Sequence, residues 1–209
     1  MPRPRSLTTA DLAAAALAVL DRDGLAALTM RAVATELRMA TMALYRYVAD
    51  REQLETLVVT RVLAAVDVTP PPGRDWREQV TELLDRVRVA VSVHPEAVPL
   101  VLRYRQSDLT VLRWMEAMLT VLTAAGFTGR ERVLAQRAIV GYLLGFLQNE
   151  HYASIAGPGT AALAGLSVDE FPLLTQTAAT ARTLSVEEEF RGGAGIVLRG
   201  LGGHSPGDS

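Results

Sequence analysis

Apolar residues return every three or four positions along nearly the whole chain, the period of one helix face, and no stretch alternates like a strand. Short β-branched runs such as Val58-Val59 lie inside these longer patterns, so the chain predicts an all-α fold. Thr8 or Thr9 caps a first helix with Leu12, Ala16, Val19 and Leu20 on one face and Asp11 at its positive end; it reaches about Arg22 and stops at Gly24. Thr29 opens a second helix to about Arg38, which buries Val33 and Leu37. Thr41 caps a short third helix to Val48 with Leu44 and Val48 inward, and Asp50 caps a fourth that runs to about Val66.

The clearest break follows at Thr69-Pro70-Pro71-Pro72-Gly73, where prolines remove backbone donors and stiffen the chain. It predicts an N-terminal domain over 1–66 and a second domain over 74–202, with a disordered tail at 203–209. In the second domain the periodicity predicts helices at about 74–93, 96–105, 108–125, 130–155, 169–182 and 186–201. Pro95, Gly126-Phe127 and Gly157-Pro158-Gly159 mark breaks, and the Ala/Gly stretch at 156–165 reads as a mobile loop.

Composition narrows the function classes. With 209 residues, 49% of them hydrophobic, the chain can bury one or two cores, and its formal net charge of −2 makes it no general polyanion binder. Any contact with nucleic acid must come from a local patch. All 21 basic residues are arginine, which reads as coding bias in a chain also rich in Ala, Val, Gly and Leu. The absence of cysteine removes disulfides, thiolate nucleophiles and cysteine-bound metals together. No apolar run approaches the roughly 20 residues of a membrane span, and the start at Met1-Pro2-Arg3-Pro4-Arg5 has no secretory core, so a soluble cytoplasmic protein is expected.

Three short helices within the first fifty residues, joined by tight turns, have the layout of a helix-turn-helix. With Leu44 and Val48 directed inward, the third helix presents Thr41, Met42, Tyr45 and Arg46 on its other face. That set suits a major groove: arginine pairs two acceptors on guanine and methionine touches a thymine methyl. Tyr45 and Tyr47 can donate to phosphates, which fixes register rather than sequence. Arg31 and Arg51, at the starts of the second and fourth helices, are further phosphate candidates, and Arg3 and Arg5 are spaced to reach along a neighbouring groove as an arm. Each residue also has a plainer role, as packing for Tyr and Met or a solvated surface for Arg. Residues 1–66 hold eight arginines against seven acids, too small an excess to decide between the two.

The runs Leu28-Thr29-Met30-Arg31-Ala32-Val33-Ala34, Leu44-Tyr45-Arg46-Tyr47-Val48 and Arg51-Glu52-Gln53-Leu54 strongly resemble the DNA-binding domain of the tetracycline-repressor (TetR) family. The resemblance implies that Arg31, Thr41, Met42, Ala43, Tyr45, Arg46, Tyr47 and Arg51 face DNA. One departure is Arg38, which stands where the turn of that family usually has glycine. Looser matches at Asp75-Trp76-Arg77-Glu78-Gln79, His94-Pro95, Ala125-Gly126-Phe127, Leu144-Gly145-Phe146 and Glu189-Phe190-Arg191 extend the likeness to the second domain. They imply a homodimer built from the helices near 130–155 and 186–201. The stretch Ile139–Leu147 is apolar nearly all round, and Gly141, Gly145, Gly192, Gly193 and Gly195 would allow close helix approach. Two recognition helices at fixed spacing read a palindrome, which gives the dimer a purpose.

Polar and aromatic residues inside apolar helices, Arg103, Tyr104, Trp114, Met115, Met118, Tyr142, Phe146, Gln148, Asn149 and Tyr152, are candidates to line a cavity for a small hydrophobic ligand. Core or surface placement is the alternative for each; His151 reads as a surface or interface residue. The founding members of the family hold a magnesium–tetracycline chelate through a histidine on the sixth helix and a glutamate on the eighth. The matching positions here are Val101 and Asn149, so that chelate is not the expected inducer, and neither metal nor cofactor is expected. The mechanism implied is a two-state linkage: ligand in the second domain shifts the helix at 51–66, and the reading heads lose operator spacing. An enzyme is the rival of a different class. It has only His94, His151 and His204, and Gly192-Gly193-Ala194-Gly195 follows no strand as a nucleotide loop would. A regulator that answers to a protein partner is the third reading.

Overall fold

A computed structural model describes residues 7–105 and 109–202, and every regular element among them is helical. The helices are α1 (Thr9–Asp23), α2 (Met30–Glu36), α3 (Thr41–Leu44), α4 (Arg51–Leu63), α5 (Trp76–Ser92), α6 (Val98–Tyr104), α7 (Leu109–Ala124), α8 (Gly129–Ala153), α9 (Pro158–Ala164), α10 (Pro172–Ala181) and α11 (Val186–Gly200). Short 3₁₀ turns at Leu25–Ala27 and Pro95–Ala97 precede α2 and α6. The expected tail at 203–209 and the arm at Arg3 and Arg5 lie outside the described residues.

The first compact unit takes residues 7–68 together with 89–105 and 109–115, and the second takes 69–88 and 116–202, so the division falls inside α5 and α7. In the first unit α1 packs along α4 and against α2, and α4 also carries α6. Leu12, Ala16, Val19 and Leu20 of α1 and Leu54, Val58 and Val59 of α4 are sealed from solvent. Local chemistry sets the ends of these helices. Thr8 caps α1 in a reciprocal box, its hydroxyl accepting from the Asp11 N–H at 3.1 Å while the Asp11 carboxylate accepts from the Thr8 N–H at 2.9 Å. Gly24, at φ 79°, then turns the chain.

Four expectations change. The third helix is not capped by Thr41: Ala40 is its N-cap and Thr41 its first residue. It is also shorter than the span to Val48, because after Leu44 the N–H groups of Arg46 and Tyr47 bond to carbonyls three residues back, a tightened turn rather than α-helix. The second helix ends at Glu36 instead of Arg38, which takes φ 54° and closes the helix with bonds from Arg38 to Thr35 and from Met39 to Ala34. The stretch read as a loop at 156–165 contains α9, which Pro158 starts, Gly165 ends and α10 packs against.

In the second unit α8 packs on α11. Phe190 of α11 is fully buried, with the rings of Phe146 and Tyr142 at 4.9 and 5.7 Å. Asp85 of α5 holds Arg88 and, from 106 residues away, Arg191, each at 2.7 Å. Trp76 and Phe127 meet edge to face at 5.3 Å.

Candidate nucleic-acid interface

The segment from Thr41 to Val48 divides cleanly between inside and outside. Leu44 has no exposed surface and Val48 2%, and they anchor the segment beside α2, whose Val33 is equally buried; Leu37 is only half-buried. Met42, at 78% exposure, stands fully out, and Tyr45, Arg46 and Tyr47 are exposed, while Thr41 and Ala43 are half-covered at its edge. Leu44 and Val48 both turn inward, and the tightened turn between them leaves Tyr45, Arg46 and Tyr47 outside. Two phenols, one guanidinium and one thioether thus stand outward within six residues, groups able to meet base edges and phosphates.

Neighbouring elements fix this turn. Asp50 caps α4 by accepting from the Gln53 N–H at 2.8 Å, and the Gln53 side chain accepts in return from the Ala49 N–H at 2.7 Å. Thr29 caps α2 through the Ala32 N–H. Arg31 is exposed on the first turn of α2, in a groove that Arg22, Thr35, Glu36 and Arg38 also line. Arg22 is neutralised there by Asp23 and Glu36, each at 3.0 Å. Arg51 is engaged within the protein: its Nε donates to Glu55 at 2.7 Å and a terminal nitrogen donates to the Leu25 carbonyl at 3.2 Å.

The candidate ligand residues divide between the two units. In the first, Tyr104 and Trp114 are buried and Met115 half-buried, while Arg103 is exposed with its guanidinium 5.0 Å from the Tyr104 ring. The Tyr104 hydroxyl donates to Glu55 at 2.8 Å, and burial first, then the Glu55 carboxylate, raises its pKa. In the second, Met118 and Phe146 are buried, Tyr142 is half-buried, and Gln148, Asn149 and Tyr152 are exposed. Tyr142 donates to the Phe190 carbonyl at 2.6 Å; burial, helped by the charge of Glu189, pushes its phenol up to about 12. Val101 is buried on α6. Among the described residues no group of three or more His, Cys, Asp or Glu side chains is placed to hold a metal ion.

The sequence reading missed Glu55, a carboxylate only 5% exposed, and the paired arginines on Asp85. A signal for Glu55 did exist, since it lies in line with Val58, Val59 and Val62 on the buried stripe of α4. For Asp85 there was none, because Arg191 is too remote in sequence to suggest itself.

Comparison with known proteins places this geometry. The family described as bacterial regulatory proteins, tetR family, matches residues 6–54, and the tetracyclin repressor-like C-terminal domain matches residues 69–203. The HTH-type transcriptional repressor DrrR1 of Streptomyces coeruleorubidus is 31% identical over 191 residues, which cover 87% of this chain and 67% of that protein. Against the curated relatives it matches, the chain spans between 63% and 69% of their length. ActR of Streptomyces coelicolor, solved with (S)-DNPA, superposes with a TM-score of 0.80 at 26% identity, covering 95% of this chain and 98% of that one. BioQ, solved with its double-stranded DNA operator, superposes at 0.70 and 25% identity, covering 94% and 98%. Since the C-terminal family model alone spans more than half of its residues, the chain belongs to the tetracycline-repressor family of bacterial regulatory proteins.

Proposed function

We propose that the protein is a cytoplasmic transcriptional repressor that binds a palindromic operator as a homodimer and leaves it when a largely hydrophobic small molecule binds. The observation that carries this reading is the division at Leu44 and Val48, which leaves Met42, Tyr45, Arg46 and Tyr47 turned to solvent within one short segment. Arg46 and Met42 are assigned to base edges, Tyr45, Tyr47 and Arg31 to phosphates, and Thr41 and Ala43 to close approach of the backbone. The operator complex of BioQ and the repressor name of DrrR1 support the direction of the reading.

Dimerisation is assigned to α8 and α11. The stripe Leu134, Ala138, Gly141, Gly145 and Tyr152 of α8 lies open, as do Gly192 and Ile196 of α11, and among the described residues nothing lies within 4 Å of the Cβ positions of Gly141, Gly145 or Gly192. Small residues flanked by exposed Leu134, Ile196 and Tyr152 suit a close, partly apolar helix contact. ActR, which is solved with (S)-DNPA and with actinorhodin, supports ligand sensing. Arg103, Tyr104, Trp114 and Met115 of the first unit and, taken separately, Met118, Tyr142, Phe146 and Asn149 of the second are the candidates for that role.

Selection of genomic fragments by the purified protein tests the reading. Recovered sites should be palindromic, and affinity should fall steeply with salt, since phosphate contacts release counterions. Magnesium–tetracycline should not release the fragments, because Val101 offers no ligand to a metal and Asn149 only a neutral amide. Recovery of no enriched sequence would end the proposal.

A further inference from the structure

Glu55 is a buried carboxylate outside the outward-facing set at 41–48, and it receives donors from two helices. From α4, Arg51 Nε donates to its Oε1 at 2.7 Å; from the end of α6, the Tyr104 hydroxyl donates to its Oε2 at 2.8 Å, in a contact shut off from water. The same Arg51 guanidinium donates to the Leu25 carbonyl, in the turn that leads into α2. Arg103 approaches Oε2 at 3.9 Å from the exposed side. Both carboxylate oxygens are thus spoken for, and each bond reaches a different part of the unit.

We infer that Glu55 is a positioning residue for DNA reading: one buried carboxylate joins Tyr104 on α6 to Arg51 and, through Arg51, to the turn before α2, and so sets the attitude of residues 41–48. Arg51 lies immediately after the Asp50 cap, where the reading segment ends, so the bonds from its guanidinium to Glu55 and Leu25 tether the start of α4 at that point. The inference gives Arg51 an internal duty in place of a phosphate contact. It also explains why a carboxylate occupies an otherwise apolar stripe, where it would cost stability without its donors. For its DNA readout it rests on the function proposed above.

The test is a double-mutant cycle between Tyr104→Phe and Arg51→Gln, two residues related through Glu55 and not through each other. Affinity is read on fragments selected by the wild-type protein, and amide hydrogen exchange is read over residues 41–48. Each single variant should weaken binding about five- to tenfold, the scale of one net hydrogen bond, and speed exchange over 41–48. The double variant should be no worse than the weaker single by more than about twofold. Arg51→Gln should leave the slope of affinity against salt unchanged. Effects that multiply in the double variant, or a slope reduced by about one unit, would overturn the inference. So would a lower melting temperature with affinity and exchange unmoved, which is all that a merely structural role predicts. If the wild-type protein selects no DNA, the proposed function fails, while the exchange readout still decides whether Glu55 links the two residues.

Discussion

Two adjacent residues, Leu44 and Tyr45, should fail in opposite ways when each is cut to alanine. Leu44 has no exposed surface, so its substitution removes three buried carbons, about 0.8 kcal/mol each in transfer energy, and leaves a void beside α2. The expected loss is about 2–5 kcal/mol, which in a chain of this size lowers the melting temperature by roughly 5–20 °C. Tyr45 keeps 48% of its surface, so Tyr45→Ala should cost less than about 1 kcal/mol of stability. Its loss appears instead in DNA affinity, by about 10- to 150-fold, the scale of one hydrogen bond to a charged phosphate. Differential scanning calorimetry and fluorescence anisotropy on a selected fragment, both run on both variants, separate the two effects. The reasoning fails if Tyr45→Ala binds within twofold of wild type, or if it melts as low as Leu44→Ala.

Other outcomes follow from single features of the structure. Arg38 holds φ 54°, where a side chain is strained, so Arg38→Gly should stabilise the protein by up to about 1 kcal/mol in urea denaturation; a loss would mean the arginine has an unseen partner. At Gly193 a Cβ would lie 2.5 Å from the Tyr142 hydroxyl, so Gly193→Ala should cost about 1–3 kcal/mol of overpacking, and less in a Tyr142→Phe background. Equal costs in both backgrounds would remove Tyr142 as the cause. The raised pKa of Tyr142 means the folded state keeps its proton longer than the unfolded chain. Its stabilising contribution is therefore complete below pH 10 and is lost as pH rises through about 12. With no lysine or cysteine in the chain, tyrosines dominate side-chain titration in that window, and denaturant melts should show a steeper alkaline loss for wild type than for Tyr142→Phe. Identical pH profiles would refute it.

What could be read from the residues was mostly local. Thr8, Thr29 and Asp50 cap the helices that their short polar side chains announced, and Gly24 turns the chain after α1. The inward pair Leu44 and Val48 needed only the period of a helix, and the outward set followed from it. α9 escaped notice because its Thr-Ala-Ala-Leu-Ala run has no two-faced pattern and none of its residues is buried; its packing on α10 stands in for that pattern.

By itself the order of residues determined most of the helical segments, though not α9 or the early end of α3, where most of them start, and which groups the reading segment turns outward. These depend on neighbours within one or two turns, where geometry is nearly fixed. Only the tertiary structure decided that Arg51 and Tyr104 share Glu55, that Arg88 and Arg191 share Asp85, and that Tyr142 spaces α8 from α11 rather than standing free. Those pairings satisfy buried charges and donors with partners up to 106 residues away. A desolvated polar group demands a partner strongly, yet that demand carries no information about where along the chain the partner will be found.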